Sequence, residues 1–143
     1  MIIFKDATEQ DVDLFLKIIR PMDREEVFVS LGEPIENYRE HLKDAVAWVD
    51  TDTGELYALG GWDKTGDGCI LWALLTDVVE RNKLRFLRYS LKFRDEILKK
   101  YAFITNTVYA RNTLHMEWLN WMGATWLRHE ADFSTFIITR KEE

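Results

Sequence analysis

Asn112, His115 and the tryptophans at 118 and 121 fall within one short stretch, ARNTLHMEWLNWMGA (residues 110–124). An imidazole titrates near neutrality, so His115 can serve as a general base or proton relay. The blander reading is a rim histidine satisfied by a neighbouring carbonyl. On a helical wheel started at Leu114, Trp118, Trp121 and Met122 fall within about 80° of it, which predicts the apolar face and sets His115 at its rim. Gly123 suits the position just past the helix end. Asn112, at the end of the preceding strand, reads as a helix cap.

Other chemistries find little support. Cys69 is the single cysteine, so neither an internal disulfide nor a multi-cysteine zinc site is expected. No His and acid accompany it as they would a thiol nucleophile. His41, His115 and His129 lack paired ligand spacing, and no metal is expected. Neither GxxxxGK[ST] nor GxSxG occurs. The opening MIIFKDATEQDVDLF turns acidic before a signal-peptide core could form, and no run of about 18 apolar residues follows. A net charge of −6 disfavours nucleic acid and anionic membranes as partners. That charge is uneven: residues 81–100 hold eight Lys/Arg against Asp95 and Glu96, a balance of +6, leaving −12 elsewhere. A basic helical stripe is usually a solvated face. The acidic N-terminal half can receive a cationic substrate, repel DNA or imitate it.

These side chains need a frame. A chain of 143 residues, 47% hydrophobic and 13% aromatic with six Trp, is expected to form one domain over 1–143 with an aromatic-rich core or a lined cleft. IIFK predicts a strand. Thr8 and Asp11 have the spacing of a capping box, and Val12, Phe15, Ile18 and Ile19 form a helical stripe ending at Arg20-Pro21. A second helical region in 22–44 centres on PIENYREHLKDA, with Pro34 in its first turn. AVAWVD and ELYALGGW flank the turn Thr51–Gly54 and predict a hairpin. DKTGDG is a further turn, leading into CILWALLTDVV, apolar enough for a central strand. From Asn82 to Lys100 Phe86, Leu87, Ser90, Phe93, Ile97 and Leu98 repeat with helical period. AFITNTVYA predicts a strand, 113–122 a helix, and TWLRHE and STFIITR two strands about Ala131-Asp132.

That order resembles the GNAT acetyltransferase superfamily. From about Gly60 to Thr139 the chain is also similar to the GNAT-like internal virion (core) proteins of short-tailed phages, on GGWDKTGDGC, FRDEILKKY and NTVYARNTLHMEWLNWMGA. Arg94-Asp95, Lys100-Tyr101, Asn112-Thr113, His115, Leu119 and Gly123-Ala124 are the most distinctive matches; the first 45 residues match in general layout only. The resemblance implies an α/β (α+β) fold, a GNAT-like twisted mixed sheet of six to seven strands with helices on both faces.

It also implies acetyl-CoA. In the superfamily the fourth and fifth strands splay, main-chain groups of the fourth pair with the pantetheine arm, and the pyrophosphate lies on the amides opening the next helix. Here the matching strand is Ile70–Val78 and the helix opens near Asn82. The cofactor-binding residues implied are Leu75, Thr76, Asp77 and Val78, then Arg81, Asn82, Lys83, Leu84, Arg85 and Phe86, and Asn112, which in the superfamily ties the splayed strand to the cofactor side. The family loop, Gln/Arg-x-x-Gly-x-Gly/Ala, meets no glycine in Arg81–Phe86. Arg81, Lys83, Arg85 and Arg88 can partly compensate by pairing with phosphates. The family's thiolate-protonating Tyr, four residues before Gly123, is Leu119, so Tyr109 is the nearest substitute unless it is a packed aromatic. Glu80 and Asp77 can activate an amine through water or serve as helix N-terminal charges. His115, Tyr109 and Glu80 are thus the catalytic candidates.

Two functional classes follow. One is transfer of an acetyl group from acetyl-CoA to an amine acceptor. The other is a catalytically inactive internal virion, morphogenesis or host-interaction protein that keeps the fold, with phage virion or host proteins as partners. Either places the chain in the cytoplasm of an infected bacterium or in the virion, and a homodimer contact is compatible with both. Strands 70–78 and 103–109 paired to their ends would leave no slot for pantetheine.

Overall fold

The computed structural model describes residues 1–140. Its elements run β1 (Ile2–Asp6), α1 (Glu9–Ile18), α2 (Pro21–Leu31), a 3-10 turn (Ile35–Tyr38), α3 (Arg39–Leu42), β2 (Val46–Asp50), β3 (Leu56–Thr65), β4 (Gly68–Leu75), α4 (Val78–Arg81), α5 (Lys83–Lys100), β5 (Phe103–Tyr109), α6 (Thr113–Trp121), β6 (Thr125–Glu130) and β7 (Phe133–Thr139). The strands form one seven-stranded mixed sheet in the order β1-β2-β3-β4-β5-β7-β6, with helices on both sides, the expected α/β class. β4 and β5 are parallel, while β1–β2, β2–β3, β5–β7 and β7–β6 are antiparallel.

Local chemistry explains several boundaries. Thr8 accepts from the Asp11 amide at 3.1 Å and Asp11 accepts from the Thr8 amide at 2.9 Å, closing the capping box of α1. Pro21 then opens α2, where its missing N–H costs nothing. The second helical region therefore starts earlier than PIENYREHLKDA: α2 fills 21–31, and that segment yields only the 3-10 turn and the four-residue α3. β4 also stops sooner than Val78. The Thr76 hydroxyl donates to the Leu56 carbonyl at 2.6 Å and the Asp77 amide to the Ile18 carbonyl at 3.0 Å, so Val78 opens α4 instead of extending the strand.

The chain forms two compact units. The first comprises Met1–Gly61 and Ala73–Phe86, with Val12, Phe15, Trp48, Tyr57, Leu59, Leu75 and Phe86 in its core. The Phe86 ring lies parallel to Tyr57 at 6.0 Å and 5.7 Å from Trp48. The second comprises Trp62–Trp72 and the chain from Leu87 on, with Phe93, Ile97, Ile104, Trp118, Leu119, Met122, Phe136 and Ile138 buried.

Candidate functional site

The end of β4 is where the expected cofactor residues begin, and there the main chain is already engaged. The Leu75 amide donates to the Asp23 carboxylate at 2.5 Å, and the Leu75 carbonyl accepts from the Arg20 amide at 3.0 Å. Thr76 pairs with Ile19 in an isolated antiparallel bridge, and its amide donates to the Tyr57 carbonyl at 3.0 Å. The junction of α1 and α2 thus lies against the strand end like a short extra strand. Asp23 is fully buried, and the Arg20 guanidinium joins it at 2.6 Å. A buried carboxylate needs such a cation and such donors, because desolvation alone would expel it.

Glu80 belongs to the same network. Its carboxylate, 56% exposed, accepts from Arg20 Nε at 2.6 Å. It is therefore a partner of the buried Arg20. Arg81 is drawn to Asp77 at 3.2 Å and Glu55 at 3.6 Å. Arg85 binds Asp50 at 2.6 Å and Asp52 at 3.1 Å. Burial pushes the Asp50 carboxyl up, but the Asp52 amide, Arg85 and the terminal ammonium outweigh it and hold it at about 2. Phe86 turns its ring into the core and gives its amide to the Asn82 carbonyl at 3.1 Å. Leu84 is 72% exposed.

The remaining expected residues lie in the second unit. Parallel pairing of β4 with β5 consists of Cys69↔Ile104 and Ile70↔Thr105, and Asn106 Nδ2 donates to the Leu71 carbonyl at 2.8 Å. The ladder stops short of the ends of both strands. Asn112 occupies the cap position of α6 and is fully buried, but its side chain makes no cap hydrogen bond. Its amide donates to the Tyr109 carbonyl at 3.0 Å. Tyr109 is buried, 5.7 Å from the Phe133 ring. His115 is buried rather than at a rim, edge-on to Trp118 at 5.9 Å. Trp118 Nε1 in turn donates to the Ser90 hydroxyl at 2.8 Å. The buried face of α6 is His115, Trp118 and Leu119 continued by Met122, while Trp121 is half exposed. Relative to the expected face it is rotated by roughly 60°.

A cavity of about 680 Å³ in this unit is lined by Arg94, Asp95, Lys99, Gly123 and Arg140 among others, and by none of the expected site residues. Its arginines have structural work: Arg94 donates to the Met122 carbonyl at 3.1 Å, and Arg140 to the Leu98 carbonyl. Cys69 is buried, which pushes its thiol up and disfavours a thiolate. Among the described residues no cluster of His, Cys, Asp or Glu could hold a metal ion, and no helix is long and apolar enough to cross a membrane.

Pantetheine needs unpaired main-chain groups on the strand, and the pyrophosphate needs backbone or cations that can approach it. At Leu75, Thr76 and Asp77 every amide has an internal acceptor, and Arg81 and Arg85 are ion-paired. The main-chain donors at the β4 end and these two arginines are thus satisfied within the chain. Asp23 and Arg20, which make the pairing at Leu75, carried no signal in the sequence: an acid in the first turn after Pro21 reads as an ordinary dipole charge.

Comparison with known proteins adds two findings. A family model described as "Bacteriophage T7, probable scaffold protein Gp13" matches residues 45–131. The probable scaffold protein gp13 of Escherichia phage T7 is 32% identical over 90 residues, 58% of this chain, and the chain spans 62% of that relative's length. Among solved structures, an acetyltransferase from Thermus thermophilus superposes with a TM-score of 0.70 at 12% identity, covering 98% of this chain and 97% of that one. A GNAT-family acetyltransferase from Bacillus anthracis gives 0.69 at 10% identity over 96% and 94%. The PaiA N-acetyltransferase of Thermoplasma acidophilum, solved with coenzyme A, gives 0.61 at 10% identity over 98% and 99%. At such identities the likeness shows the GNAT fold alone.

Proposed function

The chain belongs to the phage T7 probable scaffold protein Gp13 family, and from that premise we propose that it acts in virion assembly as a GNAT-fold protein whose acyl-CoA site is closed from within. The observation that carries this reading is the Asp23 carboxylate on the Leu75 amide. A cofactor could claim that donor only by displacing a buried, ion-paired carboxylate, which costs more than one hydrogen bond returns. On this reading residues 1–143 work as one domain, its partners are virion proteins, and it resides in the virion or the infected cell. His115, Tyr109 and Asn112 are packing residues, and Glu80 holds Arg20.

A second reading is favoured by the short β4–β5 ladder. It is an active N-acetyltransferase using acetyl-CoA and an amine acceptor, in which Asp23 releases Leu75 and the residues of 75–86 take the cofactor. Thermal unfolding with millimolar acetyl-CoA, CoA or ATP separates the two. A ligand at 100 times its Kd adds about 2.7 kcal/mol, which is several degrees at this size. The closed site predicts no shift beyond that with ATP. A shift with acetyl-CoA and CoA but not ATP refutes it. The assembly role is tested by probing phage particles and their precursors for the chain; absence from all of them overturns it.

A further inference from the structure

We infer that this protein associates with further copies of itself, α2 of one copy docking on the α5–α6 face of another. α2 is apolar on two sides. Val27 is buried with Asp23, yet Phe28, Val29 and Leu31 are 55%, 44% and 56% exposed. A helix that needs only one apolar face to hold its place, and carries a second, presents a docking surface. Exposed Glu25 and Glu33 flank it, so its rim is acidic.

The complementary surface lies in the second unit. Trp121 is 50% exposed and held against α5 by its Nε1, which donates to the Leu87 carbonyl at 3.2 Å. Next to Leu87 stands Arg88, and one turn on Lys92 lies 5.0 Å over the Tyr89 ring; both cations are exposed. An exposed indole is the composition of an interface anchor, and although exposed Glu117 stands one turn before it on α6, the α5 side of this surface is basic.

Charge selects the occupant. Setting α2 on α2 would face glutamate with glutamate, and α5 on α5 cation with cation, and both repel. Docking α2 on α5–α6 pairs opposite rims and buries Phe28 and Leu31 against Trp121. Made once between two copies, such a contact leaves one surface of each kind open to a further copy; made twice about a two-fold axis, it closes as a dimer. The uneven charge of the chain, +6 within 81–100 and −12 elsewhere, thereby acquires a use. This inference rests on the two surfaces and not on the assembly role.

Sedimentation velocity of the full chain, across protein concentration and at low and high salt, is the test. Wild type is expected to exceed the monomer mass as concentration rises and to fall back in salt. Phe28→Glu and Arg88→Glu are each expected to weaken association by about tenfold or more, a change of ~1.4 kcal/mol. Their equimolar mixture retains one intact surface on each partner and should stop at a heterodimer. A monomeric wild type, a monomeric mixture, or self-association unmoved by both variants overturns the inference. Circular dichroism checks folding, and Phe28→Ser and Arg88→Ala replace either charge variant that unfolds. A monomeric wild type leaves the assembly role standing, since particle content tests that separately.

Discussion

Replacing Asp23 by alanine probes the arrangement that closes the β4 end. The substitution removes two partners at once: Arg20 Nη1 at 2.6 Å and the Leu75 amide at 2.5 Å. Breaking a buried ion pair from one side costs about 3–5 kcal/mol, because the other charge stays buried. Arg20, whose side chain is 10% exposed, keeps the solvent-accessible Glu80, which places the cost near the lower end, about 3 kcal/mol. For a chain of this size that is roughly 10 °C in Tm. Asp23→Asn keeps an acceptor for Leu75 and should lose about half as much. Arg20→Ala strands the Asp23 charge and should cost at least as much as Asp23→Ala, while the double variant should cost far less than the sum. Urea unfolding followed by tryptophan fluorescence, read at constant m-value, measures all four. A loss below about 1 kcal/mol for Asp23→Ala, or additive single effects, would refute the buried pair and with it the closed strand end.

Three further outcomes follow from the same structure. Phe86→Ala empties the space between Tyr57 and Trp48 and should cost about 3–5 kcal/mol by urea unfolding, whereas a residue facing a ligand would cost little. Asp50 has its carboxyl lowered from 3.8 to about 2, so the stability it contributes is present above pH 3.8 and is lost as pH falls toward 2. Urea midpoints measured across that window should fall more steeply for wild type than for Asp50→Asn. Gly68→Ala drives a methyl into the Phe103 ring, and the required shift should lower stability by about 1–3 kcal/mol in thermal unfolding.

Features that depend on a few neighbouring residues were legible in the sequence. The capping box at Thr8, the break at Arg20-Pro21, the hairpin turn closing on Gly54 at φ 75° and the left-handed Gly123 at φ 91° are each set by hydrogen bonds and sterics within a turn of chain. The order of strands and helices followed, because apolar period reports which element forms. Period says less about which way a helix faces. Trp118 and Met122 belong to both possible apolar faces of α6, with Leu114 and Trp121 on one flank and His115 and Leu119 on the other. Burial chose the second flank, where Trp118 meets Ser90, a residue 28 positions away. The strand end was decided likewise. TDVV continues an apolar run and reads as strand, but the bonds that stop it come from Leu56 and Ile18, and the carboxylate that occupies Leu75 comes from 52 residues upstream. A site made of main-chain donors leaves no trace in side-chain types, so only the packing of α1 and α2 against β4 could say whether those donors were open or taken.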